Sequence, residues 1–375
     1  MSSNWGNSFQ ISLFGESHGA GVGVVIDGMP AGLKLDFETL EAFMKRRAPG
    51  RDKTSTPRKE SDRPELLSGI LNGVTTGAPL TAFIRNSDTH SGDYAELSSL
   101  ARPGHADYTG FLRYGGFNDV RGGGHFSARL TAPLVFAGGI AKQLLAAYGI
   151  FVGAHIARAA GIDDERFDDV KLDTQTLLST GARDFPVLDE QAGGRMREAI
   201  EAARLAQDSV GGIIECGIIG VPAGIGSPIF DGIENRIASI LFGIPAVKGI
   251  EFGAGFAAAD LRGSENNDPF VMDGGTVRTQ TNRHGGILGG ISSGMPILFR
   301  AAFKPTPSIS RTQSTVDFRK NAPAELSIKG RHDPCVVVRA VPVVEAAAAA
   351  AITDILKSEG RIPAVLDGAQ APHRA

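Results

Sequence analysis

The sequence predicts a fold of mixed α and β structure that lacks the regular βαβ rhythm of a nucleotide-binding sheet. Strand-like apolar runs and helix-like runs are interleaved in no fixed alternation. No G-x-G-x-x-G stands between a strand and a helix, and no G-x-x-x-x-G-K-[ST] occurs. The 49 glycines in 375 residues, about twice the usual share, cluster between the patterned segments at 19–23, 115–116, 122–124 and 285–294. Such clusters serve either as turns or as loops where a ligand lies close to the backbone.

Residues 20–27 (AGVGVVID) read as a strand ended by Gly28-Met29-Pro30. Asp36 is placed to cap a helix over 37–47 that stops before Pro49-Gly50. Leu40, Phe43, Met44 and Arg47 share one face of it, apolar except at Arg47, which points that guanidinium toward a pocket. Residues 45–63 hold eight basic residues among Pro, Gly, Ser and Thr, either a solvated face or an anion-binding loop.

A strand over 79–86 precedes a polar stretch to about 100. RPGHADYTG at 102–110 leads into a loop that ends in RGGGHFSARLT at 121–131. A helix is expected over about 128–148, closed by Gly149. A strand over 151–158 follows, then an acidic, polar stretch at 163–190 that is low in motif content. Next come a helix over 192–207, a strand over 211–220, a helix over 231–242 stopped by Gly243, and a strand over 246–252. Glycine-rich loops run to about 294, a strand covers 296–303, and a second basic and polar loop covers 304–316. A strand over 335–341 is expected to feed an alanine-rich helix over 343–357, and the tail at 361–375 to be loose. No low-complexity linker divides the chain, so 1–375 reads as a single domain.

Composition narrows the function. A formal net charge of −3 gives no global pull toward nucleic acid or an anionic membrane. Cys216 and Cys335 cannot form a disulfide framework, and no C-x-x-C occurs. The N-terminus lacks a charged segment followed by an apolar one, and no apolar run approaches the ~20 residues that span a bilayer, so a cytoplasmic protein is expected.

Within FGESHG, Gly15 to Gly19 fits the G-x-S-x-G of a hydrolase nucleophile elbow. An elbow needs an earlier strand to supply the oxyanion loop, and almost nothing precedes Ser17, so the match is accidental. His18 and His105 lie in Gly- or Pro-containing loops that offer no packed face, which favours chemical over packing roles, whereas for His332, flanked by the equally purposeful Arg331 and Asp333, the two roles stand even. No histidine pair has zinc-ligand spacing. Arg47, Arg51, Arg102, Arg121, Arg129 and Arg331 all sit in or beside glycine- or proline-containing loops. Guanidinium forks bind phosphate and carboxylate bidentately, so the ligand carries several negative groups, or two anionic ligands bind together.

FGESHG, RRAPGRDKT, RPGHADYT, RGGGHFSARLT, AVKGIEFGAGF, GGILGGISSGMP and KGRHDPCVVVRAVPVVEA occur in the order found in the chorismate synthase family. The chain resembles that family from about Trp5 to its C-terminal helix. The resemblance implies an α+β sandwich, with a helical core between antiparallel sheets, assembled as a homotetramer. It implies anti 1,4-elimination of phosphate and a C6 hydrogen from 5-enolpyruvylshikimate 3-phosphate (EPSP), dependent on reduced FMN with no net redox change. The length leaves no room for a flavin reductase domain, so an external reductase is expected, with NADPH only an indirect source of reducing equivalents. Another FMN-dependent lyase acting on a polyanionic substrate is the alternative; a flavodoxin-like carrier would not need the histidines and arginines.

Carried over residue by residue, the resemblance gives His18 a proton held on or passed to the reduced flavin. His105 assists the departing phosphate, and Asp333 works with the flavin in taking the C6 hydrogen. Ser17 and Ser127 support the ligands by hydrogen bonds, while Arg47, Lys53, Arg331 and either Arg129 or Arg113 hold substrate anions. FMN contacts are expected from His125, Phe126, Ser127, Pro245, Ala246, Gly286, Lys304, Pro305, Thr306, Pro307, Ser308 and Arg331. Three departures stand out: His125-Phe126 where the family has Arg-Ser, Lys53 where arginine is common, and Arg283-His284 in the motif usually written NHAGG.

Overall fold

The computed structural model of the chain describes residues 3–50, 62–87, 99–328 and 333–367. Two five-stranded sheets, antiparallel throughout, form the outer layers. The first orders its strands as Asn4–Trp5, Gln10–Gly15, Gly21–Asp27, Leu80–Arg85 and Glu65–Ser68. The second runs Val247–Phe252, Ile297–Phe303, Gly212–Ile219, Phe151–Ala159 and Ile162–Asp163. The helices are α1 (Phe37–Arg47), α2 (Asp107–Tyr114), α3 (Thr131–Ala146), α4 (Thr174–Ala182), α5 (Glu190–Leu205), α6 (Ile233–Leu241), α7 (Gly263–Asn266) and α8 (Val337–Ser358).

Helices α3 and α8 fill the space between the sheets. Helix α3 packs on the first sheet, α8 on the second, and each on the other. The sequence explains this placement. Ala346 to Ala351 are fully buried, and nearly every α8 residue is inside, as a helix apolar all round must be. Small side chains also bring the helices together: a Cβ at Gly138 of α3 would lie 2.2 Å from Ala346. The few polar side chains of α8 fasten it. Glu345 takes bonds from Arg46 and Lys142. Asp354 accepts the N–H groups of Asn7, Ser8 and Phe9 at 2.8, 2.7 and 2.8 Å and pairs with Arg236. The architecture is the expected α+β sandwich.

Helix α1 begins at Asp36, whose carboxylate accepts the Thr39 N–H at 3.0 Å, and buries Leu40, Phe43, Met44 and Arg47. The expected strand over 335–341 is instead the start of α8. Its valines are β-branched, but Val337, Val338 and Val341 are packed in the core layer, and burial overrides a local preference worth only tenths of a kcal/mol. Helix α2 starts within 102–110 and runs into the loop expected after it, and 163–190 contains α4. The basic loop over 304–316 runs into a hairpin of Gln313–Asp317 and Ala322–Leu326. The tail is tied down in its first part. Ala31 donates to Ala364 and accepts from Leu366 at 2.9 and 3.0 Å, and Ile362 is buried; 368–375 lie outside the described residues.

Candidate active site

Loops from both sheets meet the N-terminal end of α8 around a cavity of about 530 Å³. The first sheet contributes FGESHG as the loop of the hairpin joining Gln10–Gly15 to Gly21–Asp27. Ser17 is therefore on a hairpin loop and not on a strand-to-helix elbow, which disposes of the hydrolase pattern. The backbone of Ser17 donates to the Gly124 carbonyl at 3.2 Å, joining this loop to RGGGHF.

Gly122, Gly123 and Gly124 take φ of 58°, 88° and 53° in succession, a backbone that side chains rarely tolerate. It lays the chain directly over two histidines. A Cβ at Gly122 would fall 2.0 Å from His18 Nδ1, and one at Gly123 would fall 3.0 Å from His105 Nε2. Gly122 and His105 line the cavity, whereas Ser17 and His18 are buried one layer behind Gly122.

His105 is held from behind. Its Nδ1 lies 2.8 Å from Asp107 Oδ1, and Arg102 binds the same carboxylate through Nε and Nη2, both at 2.6 Å. Burial raises the Asp107 pKa, but Arg102 and His105 outweigh it and hold the carboxyl well below its usual range.

Arg47 and Arg129 are organised by one buried carboxylate that the sequence reading passed over. Asp62 takes Nη1 of Arg47 at 2.5 Å and also pairs with Nη1 of Arg129. Arg47 further donates from Nε to Thr131 Oγ1 at 3.1 Å and from Nη2 to the Ala128 carbonyl at 3.0 Å. Arg129 donates from Nε to Asn86 Oδ1 at 3.0 Å and from Nη2 to the Arg85 carbonyl at 3.2 Å. Burial pushes Arg47 down to about 10; Asp62 opposes this, and the charges of Arg339 and Arg129 add to it.

Asp333 lines the cavity and accepts Nη1 of Arg339 at 2.6 Å, while Arg339 Nε donates to the Arg47 carbonyl at 2.9 Å. Arg339 lies within the segment read from sequence as a strand, where it had no visible link to a site. Pro245, Ala246, Lys248, Lys304, Thr306, Pro307 and Ser308 also line the cavity. Ala246 sits at φ +78°, an unusual conformation for alanine, and its carbonyl accepts the Lys304 N–H at 3.0 Å. Burial and then Lys248 lower the Lys304 pKa.

His125, Phe126, Ser127, Arg47 and Arg129 also line the cavity. Both ring nitrogens of His125 are engaged within the chain, at 2.9 Å from the Gly15 carbonyl and 2.7 Å from Ser3 Oγ. Phe126 packs edge-on against Tyr114, and Gly110 faces it where a Cβ would be 2.8 Å away. Neither substitute reproduces the arginine and serine of the family pattern. His284 is likewise engaged, with Asp268 and, at 3.0 Å, with Ser293. Gly286 and Pro305 are not on the cavity wall. Arg121, exposed and paired with Asp119, is not on it either. Lys53, Arg331, Arg51 and His332 lie outside the described residues.

Among the described residues the cavity wall thus carries Arg47, Arg102, Arg129, Arg339, Lys248 and Lys304 against one carboxylate, Asp333. Asp62 and Asp107 stand behind the arginines rather than in the cavity. Such a wall accepts several anionic groups and offers His105 and Asp333 for proton transfer. Among the described residues no group of three or more His, Cys, Asp or Glu could hold a metal ion, and no helix is long and apolar enough to cross a membrane. Cys216 and Cys335 are free and buried.

The family model described as chorismate synthase matches residues 9–356. A chorismate synthase from Dehalococcoides mccartyi is 47% identical over 368 residues, covering 98% of this chain and 100% of its own. Those from Thermococcus gammatolerans and Methanocella arvoryzae are each 48% identical, covering 94% and 97% of this chain and 96% and 97% of their own. A crystal structure of chorismate synthase superposes with a TM-score of 0.73 at 28% identity, covering 94% of this chain and 93% of that one.

Proposed function

Because the chain belongs to the chorismate synthase family and is thereby a phosphate-eliminating lyase, we propose that it converts EPSP to chorismate by anti 1,4-elimination with reduced FMN. The observation that carries this reading is the excess of cations over carboxylates among the described residues of the cavity wall. EPSP brings two carboxylates and a phosphate, and FMN brings another phosphate, so the pair presents four anionic groups to a wall rich in guanidinium and ammonium groups.

The residues fit such a cofactor. The cavity volume lies within the roughly 300–1,000 Å³ usual for ligand pockets. Pro245, Ala246, Thr306, Pro307 and Ser308 give one wall with both apolar surface and hydroxyls, and Lys304 and Lys248 give it charge. These residues, with Phe126 and Ser127, would hold FMN, and the reduced form supplies reducing power that is returned within the cycle.

The chain's own groups do the rest. Arg47, Arg129 and Arg339 neutralise substrate anions and exclude water from them. His105, fixed by Asp107 through Nδ1 and lining the cavity, would supply the proton and hydrogen bonds that a departing phosphate needs. The Asp333 carboxylate, oriented by Arg339, takes part in accepting the C6 hydrogen. His18, behind Gly122, holds a proton one backbone layer from the ligands. A homotetramer, a cytoplasmic location, an external flavin reductase and NADPH as an indirect donor belong to the same proposal.

An anaerobic assay with EPSP and chemically reduced FMN, following chorismate formation, tests it. Chorismate should accumulate without net flavin oxidation, and no product from active-site-saturating EPSP would overturn the reading. His18→Ala and Asp333→Ala should lower turnover far more than they weaken FMN binding; matched losses would make both residues structural.

A further inference from the structure

We propose that Asp62 is a positioning residue that couples Arg47 and Arg129 into one anion receptor for the substrate. The proposal rests on the reading above for the identity of that substrate. The two arginines come from different elements, the C-terminal turn of α1 and the short helical turn Ala128–Leu130. Two buried guanidinium groups repel, and each has a long side chain with many rotamers. Asp62 removes both problems by giving one oxygen to each: Oδ2 to Arg47 and Oδ1 to Arg129. Its side chain is 0% exposed, and those of the two arginines are 5% exposed.

The placement decides between two roles for this carboxylate. An internal mimic of the ligand would sit in the cavity and be displaced by substrate. Asp62 is not on the cavity wall, whereas Arg47 and Arg129 are, so it stands behind the receptor as an anchor. Arg47 uses Nε, Nη1 and Nη2 once each within the protein, which leaves one N–H on each terminal nitrogen for a carboxylate or phosphate oxygen.

Charge and position pull in opposite directions, which makes the inference decidable. Removing the negative charge makes the field at the arginines more positive and by itself tightens anion binding. Removing the anchor leaves Arg47 and Arg129 facing each other without a shared acceptor, and an isosteric amide accepts from one while setting its own N–H groups against the other.

The test is steady-state kinetics of the full chain with EPSP and reduced FMN, comparing wild type, Asp62→Asn, Arg47→Lys and the double variant. Asp62→Asn should raise KM on the order of tenfold with kcat changed about threefold or less, and much of that effect should vanish in the Arg47→Lys background. An unchanged or lower KM, or effects that multiply in the double variant, would overturn the proposal. If Asp62→Asn does not fold, Asp62→Glu keeps the charge while displacing it by a methylene; it should still raise KM, and wild-type KM there overturns the proposal. Titration calorimetry with inorganic phosphate separates this from the assignment of substrate. Should wild type make no chorismate, the functional reading falls, and the receptor is judged by phosphate alone: about tenfold weaker binding to Asp62→Asn supports it, while equal or undetectable binding by both sinks it.

Discussion

His105 Nδ1 lies 2.8 Å from Asp107 Oδ1, and Arg102 binds that same carboxylate twice. An ionised carboxylate cannot sit that close to a bare ring nitrogen, so Nδ1 is assigned the hydrogen and donates it. Arg102 Nη2, 3.1 Å from Nδ1, is then directed at Asp107 rather than at the ring. Asp107→Asn loses the charge and lets the ring take its other tautomer. Turnover should fall by about tenfold or more, since a hydrogen bond to a charged group contributes ~1.5–3 kcal/mol and each ~1.4 kcal/mol is tenfold in rate. FMN affinity should change little. Single-turnover kinetics beside flavin titration checks this, and the effect should not multiply with that of His105→Ala. Wild-type turnover in Asp107→Asn would remove Asp107 from the machinery.

Gly122 is required by its neighbour as well as by its φ of +58°. An alanine Cβ there would occupy the position of the His18 ring, 2.0 Å from Nδ1. Because the loop also forms the cavity wall, the ring and not the whole fold should yield. Gly122→Ala is expected to stay folded, with a stability loss of about 1–3 kcal/mol from strain. Its turnover should fall by well over tenfold. A variant with full turnover and an unchanged melting temperature would mean the ring has room to move.

What was legible in the sequence follows from local physics. Asp36, the i, i+3, i+4, i+7 face and the Arg47 at its end gave α1 with its bounds, because a cap and a periodic stripe are both local signals. The start of α8 was not legible: Val336, Val337 and Val338 read as strand, and only the burial of Val337, Val338 and Val341 in the helical layer selects the helix. In the site, His105 and the arginines announced themselves through Gly- and Pro-containing loops. Asp62 and Arg339 did not, since one lies in a basic polar run and the other in an apolar run. Their meaning comes from contacts 15, 67 and 292 residues apart in sequence. His125, expected at the flavin, and His284, a departure from the family motif, both satisfy neighbouring polar groups within the chain.

Glu345 should be the most sensitive polar position in the helical core. It is fully buried and takes Arg46 through both oxygens at 2.5 and 3.0 Å, Lys142, and the Ala154 N–H at 3.3 Å. Burial raises its pKa, but the charges of Arg46 and Lys142 outweigh that and keep it ionised. Glu345→Gln preserves the shape and strands two largely enclosed cations, Arg46 and Lys142, whose side chains are 14% and 20% exposed. Removing one partner of a buried pair costs about 3–5 kcal/mol, so urea unfolding should show a loss of that order. A loss under about 1 kcal/mol would mean the cations reach water when the carboxylate is gone.

His155 gives stability a pH dependence remote from the cavity. It is fully buried on the second sheet, with Nδ1 3.0 Å from Asp164 and Nε2 3.0 Å from Glu215. Arg300 lies beyond, 3.9 Å from Glu215 and 2.7 Å from Glu251. Burial lowers the His155 pKa, but the two carboxylates outweigh it and raise it above 6.5. A raised folded-state pKa means the protonated ring stabilises the fold fully below the unfolded value, and the contribution fades as pH climbs through the folded one. The melting-temperature gap between wild type and His155→Gln should therefore be widest near pH ~6 and narrow toward pH ~9. Asp164, whose pKa is lowered by His155 and two backbone N–H groups against the effect of burial, adds a loss on the acid side of that window. A gap that is constant, or that widens with rising pH, would show that His155 is buried as the neutral ring, with one of its carboxylate partners carrying the proton.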